Sequence, residues 1–127
     1  MRRDPERGAA AVEFALILPV LLVLVLGMFE FSRAFHTQIA VTNAAREGAR
    51  VMAIHDDPAK ASSAAIAAAP TLDPAIGAGQ VSISPASCAA NPGGTVSFAI
   101  SYDLALMTGF FGVSIPIHGV GVMLCGG

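Results

Sequence analysis

The sequence predicts an α+β protein: a long N-terminal α-helix, membrane-spanning in its first half and amphipathic in its second, then a short second helix and a small three-stranded antiparallel sheet. Three observations carry that prediction. Gly8 to Glu30 reads GAAAVEFALILPVLLVLVLGMFE, a nearly uninterrupted apolar run. Beyond it, apolar residues recur at steps of three and four as far as Met52, the period of a helix with one buried face. After Gln80 the period falls to two, as in half-buried strands.

The apolar run is long enough to span a membrane. Nothing from Phe14 to Met28 is charged. With Ala9 to Val12 added, the helical length is about 30 Å at 1.5 Å per residue, the thickness of a bilayer's hydrocarbon core. One carboxylate, Glu13, lies inside it. An ionisable residue there costs about 2.5–3.5 kcal/mol on insertion scales, so Glu13 is a candidate functional residue. Arg2, Arg3 and Arg7 precede the span and, by the positive-inside rule, hold the N-terminus in the cytoplasm and send the remainder across. A cleavable secretory signal is the competing reading, but the run exceeds a usual signal core and no clear A-x-A site follows it. Pro19 is compatible with a membrane helix, where a local kink is expected.

Past Glu30, helical spacing continues without a breaker. Phe31, Ala34, Phe35, Ile39, Thr42, Ala45, Ala49 and Met52 form one stripe, opposite Arg33, His36, Thr37, Asn43, Glu47 and Arg50. Glu30 and Arg33, three apart, can pair where the helix leaves the membrane, for about 0.2–0.5 kcal/mol. Gly48 costs about 1 kcal/mol against Ala in a helix, which predicts another element packed closely on that face. Arg46 and Arg50 are candidate contacts for acidic groups on a neighbour; a solvated face is the plainer reading. The helix is expected to end near Ile54. Asp57 then reads as the N-cap, and Pro58 as the first residue, of an Ala-rich second helix stopping at Ala69.

Thr71 to Gln80 reads as a linker. Val81 and Ile83 alternate with serines, as do Val96, Phe98, Ile100 and Tyr102 with Thr95, Ser97, Ala99 and Ser101, and CAANPGG between them has turn chemistry. Asp103 to Gly112, with Leu104, Leu106, Phe110 and Phe111, reads as an apolar connection. In the last strand Val113, Ile115 and Ile117 share one parity and Val120, Val122 and Leu124 the other, so a bulge near His118-Gly119 is expected. Pro116 puts this strand at an edge. Three strands cannot stand alone, and their apolar face should lie on the amphipathic part of the long helix. In an up-down-up meander Cys88 and Cys125 both come near the start of the middle strand. A disulfide between them is plausible after export; two buried free thiols are the alternative.

Several function classes are disfavoured. A net charge of −2 with no basic block speaks against nucleic acid as a partner. His55, Asp56 and Asp57 are metal-binding types, but no further ligands complete a shell, and capping explains the turn. His36 and His118 have no nucleophile or base context, and no cofactor motif is present. An envelope enzyme would need His36, His55 and His118 to converge.

Glu6-Arg7-Gly8 followed by AAAVEFALILP, then EFSRAF and VTNAAREGAR, resembles the TadE-like family of pilin-related proteins from tight-adherence, Flp-type pilus systems. The resemblance covers most of the chain and is strongest from Arg7 to Arg50. It implies cutting by a membrane prepilin peptidase between Gly8 and Ala9, which makes Glu13 the fifth mature residue, at the acidic position pilins share. The amine of Ala9 and the carboxylate of Glu13 lie one helical turn apart, so each can meet its counterpart on a neighbouring subunit and set axial register. Otherwise Glu13 is a headgroup-layer charge favoured by the helix dipole. Phe14 and Pro19 belong to the same assembly segment. The implied organisation is a leader over 1–8, a transmembrane and assembly helix over 9–30 and a periplasmic pilin-like head over 31–127. The implied function is a non-enzymatic minor pilin or pseudopilin of the inner membrane, whose partners are the prepilin peptidase, other pilins and the Tad assembly platform. A single-pass membrane-anchored binding module outside any fibre is the alternative.

Overall fold

Helix α1 spans Pro5–His55 and continues through Pro19, so the apolar run and the amphipathic segment form one element. The computed structural model describes residues 5–107, 109 and 112–126. After α1 come α2 (Pro58–Ala68), a single 3₁₀ turn at Ala78–Gln80, and strands β1 (Val81–Ser84), β2 (Thr95–Ala105) and β3 (Ser114–Leu124). This is the expected α+β arrangement. Arg2 and Arg3, and Phe110 and Phe111, lie outside the described residues.

Two compact units meet between Arg33 and Ala34. In the first, the apolar side chains of α1 have nothing to pack on: Phe14, Leu16, Val23 and Met28 are all more than 60% exposed. By length and composition this helix can cross a membrane.

The second unit has a core. Asp57 caps α2, its Oδ1 accepting the N–H groups of Ala59 (3.0 Å) and Lys60 (3.2 Å) as the sequence predicts. The strands form an antiparallel meander in the order β1-β2-β3. Val96, Phe98, Ile100, Tyr102 and Leu104 from β2 are buried against Val41, Ala45, Ala49 and Met52 from α1. Ala61 and Ala65 bring α2 into the same core. Burial of apolar side chains of this kind stabilises by roughly 25 cal/mol per Å² removed from water.

The structure corrects four expectations. Of the stripe expected to be buried on α1, Ala45, Ala49 and Met52 are buried, but Phe35 and Ile39 remain 59% and 46% exposed, and the face is completed by Val41, Ala44, Gly48 and Thr37, the last expected on the opposite side. Small residues win that face because the sheet comes too close for aromatic rings. A Cβ on Gly48 would lie 2.7 Å from Phe98, which bears out the close packing predicted there.

Strand β2 also runs on through Asp103 and Leu104 to Ala105, so the apolar connection is shorter than expected and closes with Leu106 N–H donating to Val113 C=O (3.4 Å). The stretch read as a linker packs: Ile76 is buried and the Tyr102 hydroxyl donates to the Pro74 carbonyl (2.7 Å).

No bulge interrupts β3. Its register with β2 is continuous from Thr95↔Leu124 to Ala105↔Ser114. Ile117, Gly119 and Gly121 face α1, and Val120, Val122 and Leu124 stay outside. The two glycines explain this. A Cβ on Gly119 would sit 2.8 Å from the Val41 carbonyl oxygen, and one on Gly121 would collide with the backbone of Ala45. Backbone approach to the helix, rather than valine burial, sets the phase of this strand. Pro116 lies on an edge strand, as expected.

Candidate functional site

In the first unit the candidate processing and register positions are laid out along α1. Gly8 and Ala9 are exposed, and a Cβ on Gly8 would meet no atom within 4 Å. Glu13, four residues after Ala9, shares its helix face and is also exposed, as is Phe14. Among the described residues of this unit, nothing packs on the surface around them. A shallow apolar dent beside Pro19 is lined by Val20, Val23 and Leu24. At the far end of the unit Arg33 donates to Glu30 at 3.3 Å, with Glu30 the more buried of the pair.

In the second unit, Arg50 forms a two-pronged ion pair with Glu47, its Nη2 at 2.6 Å and Nε at 3.0 Å from the carboxylate oxygens. The Arg50 hydrogen bond holds the Glu47 carboxyl below its ordinary range, and Glu47 in turn raises Arg50. Both side chains are partly exposed, so the pair contributes little to stability. Arg46 is exposed and carries no ion pair among the described residues.

Cys88 and Cys125 form a disulfide, with Cα atoms 5.4 Å apart. Sequence reasoning missed what holds Cys88 in place. Asp56, in a left-handed conformation (φ 49°) just past α1, accepts hydrogen bonds from the Cys88 and Ala89 backbone N–H groups and the Ser87 hydroxyl. These donors, the Cys88 N–H foremost, hold its carboxyl below the ordinary range. They lie 31 to 33 residues away, so no local pattern announces them.

The histidines stay apart. His36 and His55 are nineteen residues apart on one helix, about 28 Å by helical rise. His118 sits on the outer face of the sheet, its Nδ1 3.2 Å from the Ser101 hydroxyl. Among the described residues no three metal-binding side chains gather.

What distinguishes the first unit is an unburied apolar helix with a carboxylate five residues past Gly8. Residues 8–50 match the family model of TadE-like protein. The match starts at Gly8 and covers the apolar half of α1 and most of its amphipathic half. The match covers about a third of the chain, and over that segment the sequence is similar to TadE-like protein. The TadE-like segment stops before the end of α1, so the sheet and its disulfide lie outside it. No curated protein and no solved structure matches the chain.

Proposed function

We propose that the chain is a minor pilin or pseudopilin, trimmed after Gly8 by a prepilin peptidase and taking part in assembly of a Flp/Tad-type adhesion pilus. One observation carries the reading: the TadE-like match begins at Gly8 and runs along a helix whose apolar side chains are exposed over its whole membrane-length window. An unburied apolar surface of that size needs lipid or other helices to cover it.

The mechanism is physical rather than enzymatic. The span holds the subunit in the inner membrane, N-terminus in the cytoplasm and head in the periplasm, with Glu30 and Arg33 marking the membrane exit. Cutting between Gly8 and Ala9 creates an amine near the membrane surface. In a packed array that amine meets the Glu13 carboxylate of a neighbouring subunit, which relieves two costly charges and selects one axial stagger. Phe14 and the surface around Pro19 supply the adjoining helix contacts. The partners are the peptidase, other pilins or pseudopilins and the Tad assembly platform. The added head suits a low-copy initiating or modulating subunit better than a bulk fibre subunit.

The test is the N-terminal sequence and intact mass of membrane-extracted protein made with and without a prepilin peptidase. A peptidase-dependent start at Ala9 is expected. An uncut Met1 terminus in the presence of active peptidase overturns the reading in favour of a tethered binding module.

A further inference from the structure

β3 is an edge strand, and its hydrogen-bond parity fixes what that edge offers. Leu106 N–H donates to Val113 C=O (3.4 Å), and Cys125 N–H donates to Gly94 C=O (2.9 Å), at the two ends of one unbroken register. The odd-numbered residues of β3 therefore bond to β2, and the even-numbered ones turn N–H and C=O away from it. Pro116 agrees, because its missing N–H falls on the open side. So does His118, whose carbonyl accepts Gln38 Nε2 at 2.8 Å. α1 covers that side again only past the strand, where Gly126 N–H donates to the Ala53 carbonyl (3.1 Å); between these two contacts Val120, Val122 and Leu124 have no such partner among the described residues and are 53%, 57% and 64% exposed.

Proteins ordinarily blunt such an edge with charge, proline or brevity. At the opposite edge β1 is four residues long and runs into Pro85. β3 is eleven residues long and carries no charged side chain. Its open stretch borders an apolar cleft of about 400 Å³ lined by Arg50, Ala53 and Ile54 of α1 and Val122, Met123 and Leu124. Arg46 lies on the same flank of the helix, its Cα 2.7 Å from where a Gly121 Cβ would be. Four residues apart, Arg46 and Arg50 form a basic margin along the edge, only Arg50 being matched by Glu47.

We propose that the β3 edge from Val120 to Leu124 takes an added strand from a partner chain, apolar on its outer face and bearing carboxylates on the face turned to Arg46 and Arg50. The open backbone groups call for an extended segment. Val120, Val122 and Leu124 call for apolar cross-strand neighbours. The arginines call for acids, and this disfavours a second copy, whose own β3 edge would bring Arg46 and Arg50 against the same arginines with only the Glu47 carboxylate that Arg50 already holds. The inference goes beyond the pilin reading, since it concerns the head alone and stands whether or not Gly8 is cut.

The experiment uses the full chain in detergent micelles and two short fluorescent peptides, one alternating valine with aspartate and one alternating valine with lysine, followed by anisotropy. The aspartate peptide is expected to bind about tenfold or more tighter than the lysine peptide, a difference of roughly 1.4 kcal/mol or more. Val120→Pro, at the parity Pro116 already occupies, should abolish binding while the disulfide and melting temperature persist. Arg46→Glu with Arg50→Glu should reverse the preference. Should Val120→Pro misfold, Val122→Glu serves as the second variant and should weaken the aspartate peptide by a similar factor. Equal binding of both peptides, binding by neither, undiminished binding to a folded edge variant, or self-association through β3 in place of peptide binding would each overturn the proposal.

Discussion

Asp56 shows how one side chain can tie together segments that the sequence keeps far apart. Its carboxylate holds the Ser87–Ala89 turn, which carries one half of the disulfide. The folded-state value is depressed, so its stabilisation is present above the ordinary value of 3.8 and is lost as pH falls through the lowered folded value. A melting series from pH 6 to pH 2 should show this acid-side loss in the native chain, and Asp56→Ala should flatten that part of the curve. Gly121 acts by subtraction. Gly121→Ala pushes a methyl group into the Ala45 backbone and should destabilise the head by about 1–3 kcal/mol, read by denaturant melts. The same change at Gly8, where nothing lies within 4 Å, should leave the head's stability unchanged.

At the scale of elements, α1 shows that helical periodicity alone does not name the buried face. Phe35, Ile39 and Ala45 share one stripe of the right spacing, yet only Ala45 is buried, beside Val41, where the glycines of β3 let the two backbones approach. Phe35→Ala should therefore change head stability by no more than about 0.5 kcal/mol, whereas Ala45→Leu should cost about 1–3 kcal/mol by overpacking. The disulfide joins the turn after β1 to the end of β3, 37 residues apart. Replacing both cysteines with serine should lower stability by about 3–4 kcal/mol in the chain-entropy model, measured against the oxidised protein. That is a large share for a head with a core this small.

At the scale of the whole molecule the two units treat their apolar residues in opposite ways. The second buries its apolar residues internally, and the first exposes them, with Glu13 inside the exposed run. Under the pilin reading, Glu13→Leu should leave membrane insertion intact, or favour it, while impairing assembly. Membrane fractionation alongside a count of surface pili checks both halves. Normal piliation with Glu13→Leu would leave the carboxylate as a headgroup-layer charge with no part in register.

The apolar run, the Asp57-Pro58 cap, the alternating strands and the Gly8-to-Glu13 spacing are all local patterns, and the sequence alone determined the α+β class, the meander, the TadE-like segment and the disulfide as one of two readings. Local patterns are legible because each rests on the period or capping chemistry of neighbouring residues. The phase of β3, the buried face of α1, the Asp56 clamp and the open edge beside Arg46 were decided only by tertiary structure. Each depends on how closely two distant backbones approach. Periodicity ranks Val120, Val122 and Leu124 above Gly119 and Gly121 for burial, but a helix against the sheet has room only for the residue without a Cβ.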